Sequence, residues 1–201
     1  MFVVTADQRA STREGDRVEQ LLADLGAWQR AWAADVVLPV ERTVGDEVQT
    51  VLSTPDAAVD LALTLARAQQ WAVGIGVGGV DEPLGASARA SSGTAFVLAR
   101  RAVERAKFKT EPVPLSVAGT HEGAAEAATA VLQLLASVVR RRSVAGWEVS
   151  DLLTGGTTQR EAATRLGISE QAVSQRVASA MIDEERRARP VAVVLLNSAG
   201  R

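Results

Sequence analysis

Cysteine is absent from the 201-residue chain, and histidine occurs once, at His121. Without thiols there is no disulfide framework, no thiolate nucleophile and no Cys-ligated metal site, and one imidazole cannot build a multi-histidine site. A Ser-His-acid hydrolase would have to run on His121 alone. Long apolar runs are also missing: Val191–Leu196 falls far short of the roughly 20 residues that a membrane helix needs. Met1–Val4 carries no basic segment of the kind that opens a secretory signal. These absences lead us to expect a cytoplasmic protein with no membrane partner.

What is present describes a globular chain. It has 22 Lys+Arg against 24 Asp+Glu and 47% hydrophobic residues, which excludes disorder and collagen-like order. Residues 1–138 hold 12 basic and 17 acidic side chains, whereas residues 139–201 hold 10 and 7. The last third can therefore approach a polyanion that the front would repel. Neither an internal repeat nor a low-complexity segment is visible beyond alanine richness.

The hydrophobic pattern gives a strand at Phe2–Thr5, then an amphipathic helix carrying Val18, Leu21, Leu22, Leu25, Trp28 and Trp32. Val36–Thr43 and Glu47–Leu52 read as a hairpin with Gly45-Asp46 at its tip, where glycine can take a positive φ. Thr54 and Pro55 supply an N-cap and a first-turn proline to a helix with Ala58, Leu61, Ala62 and Leu65 on one face. A Gly-rich strand, Trp71–Val80, precedes a helix over about 93–107 that buries Phe96, Ala99 and Val103, and Val113–Val117 reads as a further strand. The order is βαββαβαβ. From Glu122 the chain reads as helical, first as a long helix striped by Val131, Leu134, Leu135 and Val138 and ending in Arg140–Arg142. Short helical segments follow at 147–153, 159–166 and 170–182. Pro190–Leu196 fits a strand by its β-branched residues and a helix by its proline. We expect an α+β fold with an α/β domain over 1–118, a connecting helix over 119–145 and an all-α domain over 146–201.

Residues 159–178 read QREAATRLGISEQAVSQRVA. Ala162, Ala163 and Leu166 face inward from one helix, Gly167 permits a sharp turn, and Ile168, Val173 and Val177 face inward from the next. This spacing predicts a helix-turn-helix and resembles that of bacterial regulators and of sigma-factor region four, whose second helix enters the major groove. Ser169 is suited to N-cap that helix, which projects Glu170, Gln171, Ser174 and Gln175 outward. Gln171 and Gln175 have the chemistry for bidentate contact with adenine. Glu170 either accepts from cytosine N4 or repels the backbone, and Arg160, Arg165 and Arg176 suit phosphates. A hairpin used only for packing or dimerisation is the alternative.

At the other end, Asp7 follows the first strand and Asp46 stands at the hairpin tip. Two carboxylates there can bridge Mg²⁺ ions that hold a triphosphate, although aspartates in turns also serve backbone hydrogen bonds. Together with GIGVGGV and GTAFVLARRAVERAK, the pattern resembles the class III nucleotidyl cyclase fold, whose relatives include the GGDEF diguanylate cyclases. D-x-R-A-S, GDEVQ, GIGVG, G-x-AF-x-x-AR and the terminal helix-turn-helix, in this order, resemble the SatD family of bacterial proteins over nearly the whole chain. The resemblance implies a ferredoxin-like βαββαβ core and a head-to-tail homodimer. It places Asp7 and Asp46 at the metal positions and Arg101 where an arginine stabilises transition-state charge. It also places Arg42 at the position of a base-reading lysine, Ala90 at that of its partner aspartate, and Val97 at that of the ribose-orienting asparagine. The catalytic set is thus incomplete. The expected function is a homodimeric, DNA-binding transcription regulator whose cyclase-like domain dimerises and can bind a purine nucleotide with Mg²⁺. The rivals are an active metal-dependent cyclase and an adaptor whose terminal helices bind a polymerase subunit. His121, beside Gly119 and Thr120, reads as a helix cap, and Trp28, Trp32, Trp71 and Trp147 as core or rim residues.

Overall fold

The computed structural model describes residues 1–9 and 11–201. Ala10 of the D-x-R-A-S motif lies outside them. In chain order the elements are β1 (Phe2–Gln8), α1 (Ser11–Glu14), α2 (Val18–Asp24), α3 (Gly26–Ala31), β2 (Val36–Arg42), β3 (Glu47–Leu52), α4 (Pro55–Ala68), β4 (Trp71–Val77), a short 3-10 turn (Ala88–Ala90), α5 (Thr94–Ala106), β5 (Leu115–Gly119), α6 (Glu122–Arg141), α7 (Val144–Thr154), α8 (Gln159–Leu166), α9 (Glu170–Ser179) and α10 (Ile182–Ser198). The fold is mixed α+β, as expected. The single helix anticipated across 18–32 is divided, with Leu25 closing α2 and opening α3.

Five strands form one sheet in the order β2-β3-β1-β4-β5. The first four are mutually antiparallel, and β5 joins β4 in parallel. In β4 the side chains alternate between Val73, Ile75 and Val77 on the main core face and Gly74 and Gly76 on the other. The glycines let α5 lie directly on the strand. A Cβ at Gly76 would stand 2.1 Å from Ala95 O, and one at Gly74 would stand 2.2 Å from Val103 N. The helix answers with its own small face: Ala95, Ala99, Ala102 and Ala106 are buried, together with Val103. The GIGVG motif is therefore a close-approach surface for α5.

Both sheet edges are managed. β2 carries register shifts and Pro39, which spoil it as a template for another strand. β5 is capped from α6, where Thr129 Oγ1 accepts from Val117 N at 2.9 Å and Gln133 Nε2 donates to Leu115 O at 2.9 Å.

On the sheet face opposite α5, α4, α6 and α10 enclose the main core with Phe2, Val4, Leu52, Ile75 and Val117. The inward stripe of α6 is Ala125, Ala128, Leu132, Leu135 and Val139. Leu134, expected inside, points outward, because the buried positions sit one step round the helix from the anticipated stripe. By length and composition α6 is apolar enough to cross a membrane, yet this inner stripe belongs to the core of the fold. His121 caps α6 as anticipated, its Nδ1 accepting from Ala124 N at 3.1 Å.

The ambiguous segment 190–196 is helical and lies within α10, with Pro190 inside the helix rather than at its first turn. Ala192, Leu196 and Ala199 of this C-terminal segment are buried in the main core, and Ala199 O accepts from His121 N at 3.0 Å. The chain thus returns to the sheet layer, and packing does not follow a unit running to residue 201. What stands apart is α7–α9, which enclose a small core of Val149, Ala162, Ala163, Val173 and Val177.

This small unit is held by ionic contacts. Arg142, its side chain 1% exposed, donates from Nε and Nη2 to Ala180 O, from Nη1 to Ser150 Oγ and from Nη2 to Glu185 Oε2. Glu185 also binds Arg189, which reaches Asp60 on α4, and Asp60 accepts from the indoles of Trp28 and Trp32. Arg67 of α4 pairs bidentately with Asp151 of α7 at 2.7 and 2.8 Å, and its guanidinium lies 3.7 Å from the Trp147 ring centre. Arg142 was expected as part of a basic helix end, but it is a buried junction residue.

Candidate carboxylate pair and exposed helix face

Asp7, expected after the first strand, lies within β1 one residue before its end and opposite Glu47 of β3, because the strand runs on to Gln8, and the turn before β3 carries Asp46. Gly45 adopts φ 63° in that turn, and Gln8 N donates to Asp46 O at 3.1 Å. The two aspartates are thereby brought together at one end of the sheet. Burial pushes the Asp7 carboxyl above its ordinary range, Lys107 opposes the rise, and the nearby Asp46 charge adds to it. Lys107, at the end of α5, places Nζ 2.9 Å from Asp7 Oδ2 and 2.9 Å from Glu104 Oε1. Burial works to lower the lysine, but its hydrogen bonds to Glu104 and Asp7 outweigh that and hold it above its usual value. A divalent cation at Asp7 would have to displace this ammonium. Among the described residues no third Asp, Glu, His or Cys joins a metal-holding group. Lys107 was not singled out from sequence, because nothing in the spacing says that the end of α5 reaches the end of β1.

The other expected members are elsewhere. Arg42 forms two hydrogen bonds with Asp16, at 2.8 and 3.0 Å, a third to Gly45 O and an ion pair with Glu19 at 3.3 Å. The carboxylates that hold Arg42 therefore come from the loop before α2, through Asp16, and from the first turn of α2, through Glu19. The hydrogen bonds from Arg42 keep Asp16 below the usual carboxylate range. Arg101 is exposed on α5 and lines a cavity of about 250 Å³ with Arg105, Ser116, Glu122 and Glu126. That cavity lies between α5, β5 and α6, and neither Asp7 nor Asp46 lines it. Val97 is exposed, and Ala90 ends the short 3-10 turn.

At the other end of the chain, Thr158 and Glu161 form a reciprocal capping box on α8. Gly167 takes φ 65° to end that helix, and Ser169 caps α9 by accepting from Ala172 N at 3.1 Å. Val173 and Val177 are buried, Leu166 and Ile168 pack on the same small core, and Glu170, Gln171, Ser174 and Gln175 are all exposed. Arg160 and Arg165 are exposed on α8. Two of the expected contact residues have partners within the chain: Ser174 Oγ donates to Gln159 Oε1 at 2.9 Å, and Arg176 pairs with Glu148 at 2.9 Å.

A cleft of about 670 Å³ lies between α4, α7 and α10, lined by Arg67, Trp147, Asp151, Gln159, Arg186 and Arg189 among others. The sequence pattern did not single it out, because it is made by residues more than 100 positions apart. Comparison of the chain with protein-family models, curated proteins and solved structures finds no match.

Proposed function

We propose that the chain is a homodimeric, DNA-binding transcription regulator in which α8 and α9 form a helix-turn-helix and α9 enters the major groove. The observation that carries this reading is the outer face of α9: Glu170, Gln171, Ser174 and Gln175 are exposed together, while the opposite face holds the small core. Gln171 and Gln175 have no partner among the described residues, so base reading falls first to them. Arg160 and Arg165 flank the same surface and suit phosphates, and Arg176 can exchange Glu148 for one.

In this reading the first four strands are a ferredoxin-like core of the nucleotidyl-cyclase type, retained for dimerisation and for binding a purine nucleotide. The Lys107 ammonium on Asp7 and the engagement of Arg42 with Asp16 both favour a domain without efficient cyclisation chemistry.

Binding of duplexes from the protein's own upstream region, followed by fluorescence anisotropy, tests the proposal. Three arginines per copy meeting phosphates predict that log K falls with log salt at a slope of about −5 for a dimer. Gln171→Ala should relax base preference, and Arg165→Ala should weaken all sequences alike. No binding to any such duplex at low ionic strength refutes the reading.

The adjacency of Asp7 and Asp46 favours a second reading, an active metal-dependent nucleotidyl cyclase. Incubation with each nucleoside triphosphate and Mg²⁺ or Mn²⁺ decides it, through a cyclic product that disappears in Asp46→Ala.

A further inference from the structure

We propose that the outer face of α6, extended by α10, is the surface through which two copies of this chain pair, with α6 antiparallel to its symmetry mate about Leu134. The inference rests on the homodimeric reading and deepens it by naming the interface.

A helix that covers a core normally turns charged side chains toward water. From Ala127 to Val139, α6 carries no charged residue at all. Leu134 is 67% exposed at the middle of this stretch, with exposed Ala130 one turn before it and half-buried Val131 and Val138 on either side. The neighbouring α10 runs antiparallel to α6, since its C-terminal end meets His121, and it adds Val191 at 51% and Val194 at 63% exposure. A surface of this kind marks something that covers it.

Charge at its two ends says what. Glu122 stands exposed at the start of α6, one turn before Glu126, which Arg105 holds, and Arg141 stands exposed at its end, next to half-buried Arg140. An isologous contact repeats each patch on both sides. An antiparallel pair of α6 helices therefore sets the acidic end of each copy beside the basic end of the other, with Leu134 near the axis. Such a pair also opposes the two helix dipoles favourably. An anionic membrane surface fits less well, because it would attract one end and repel the other.

The cysteine-free chain makes the test clean. Leu134→Cys, oxidised in the full-length protein, should yield a covalent dimer on a non-reducing gel. Val97→Cys should stay monomeric on that gel: Val97 is 71% exposed, but on α5, across the sheet. Leu134→Asp should raise the dimer dissociation constant at least tenfold by light scattering, with the far-ultraviolet spectrum unchanged, since the side chain lies outside the core. A dimer that survives Leu134→Asp, or that crosslinks through Val97→Cys and not Leu134→Cys, overturns this interface and leaves the homodimer standing. A wild-type chain that remains monomeric at every concentration overturns both.

Discussion

The Arg142–Glu185 pair predicts an asymmetric response to mutation. Both side chains are nearly fully buried, at 1% and 8% exposure, and their closest approach is 2.5 Å. Removing one member of a buried pair costs about 3–5 kcal/mol, chiefly because the remaining charge is left without compensation. Glu185 keeps a cation when Arg142 is lost, for Arg189 holds its Oε1 at 2.7 Å. Among the described residues Arg142 has no second carboxylate when Glu185 is lost, only Ala180 O, Ser150 Oγ and the Trp147 ring. Glu185→Leu should therefore fall near the upper end of that range and Arg142→Met near or below the lower end. For a chain of this size each kcal/mol shifts the melting temperature by about 2–4 °C. The loss for Glu185→Leu is then roughly 10–20 °C. The double variant should cost clearly less than the sum of the two, because it leaves no orphaned charge. Urea titration followed by far-ultraviolet circular dichroism gives the three free energies, and tryptophan fluorescence adds Trp147, whose ring centre lies 4.5 Å from the Arg142 guanidinium. Additive single variants, or an Arg142→Met more damaging than Glu185→Leu, would refute the reasoning.

Asp7→Asn should be as stable as the wild type or more so at pH 7, because burial holds the Asp7 carboxyl above its ordinary value and so disfavours its ionised form in the fold. With the folded value raised, the contribution of Asp7 is fully present below about pH 3.8 and is lost as pH rises through the folded value, so the gap between the two proteins should close on acidification in urea titrations from pH 3 to 7. Gly76→Ala should destabilise by about 3 kcal/mol or more, since its Cβ meets the backbone of α5 at 2.1–2.2 Å and neither backbone can retreat cheaply; a thermal shift under 3 °C would contradict this. Ser116→Ala should be neutral or stabilising by up to about 1 kcal/mol, because the buried Ser116 hydroxyl has no hydrogen-bond partner among the described residues, and calorimetry reads the difference.

The strand and helix positions were legible where local chemistry is decisive. Thr54-Pro55 announced α4, and Gly45-Asp46 announced the hairpin, since capping and positive φ are satisfied within a few residues. The turn at Gly167 and the alternation of buried Val173 and Val177 with exposed Gln171 and Gln175 were equally readable, as a 3.6-residue period fixes which side chains can share a core. The stripe of α6 was less so: an alanine-rich helix with apolar residues on both sides offers two plausible inward faces, and only the positions of β5 and α10 choose between them.

The candidate site divides along the same line. Sequence placed Asp7 and Asp46 at neighbouring strand ends because a hairpin and its adjoining strand are local constraints on a sheet. It could not foresee that Lys107 would meet Asp7, that Asp16 would take Arg42, or that Arg101 would look into a different cavity, because these pairings depend on where a helix ends after crossing the sheet. By itself, then, the sequence determined most of the strands and helices, the caps at Thr54 and Ser169, the glycine-lined strand and the face that α9 exposes. It did not determine the break at Leu25 or the end of α9 at Ser179, three residues short of the expected 182. Only the tertiary structure decided that α10 returns to the sheet layer, that Arg142 is buried among α7–α10, and that an uncharged face of α6 remains open to solvent. The physical reason is that capping and periodicity act over a few residues, whereas ion pairing and burial depend on distances between residues that chain spacing does not encode.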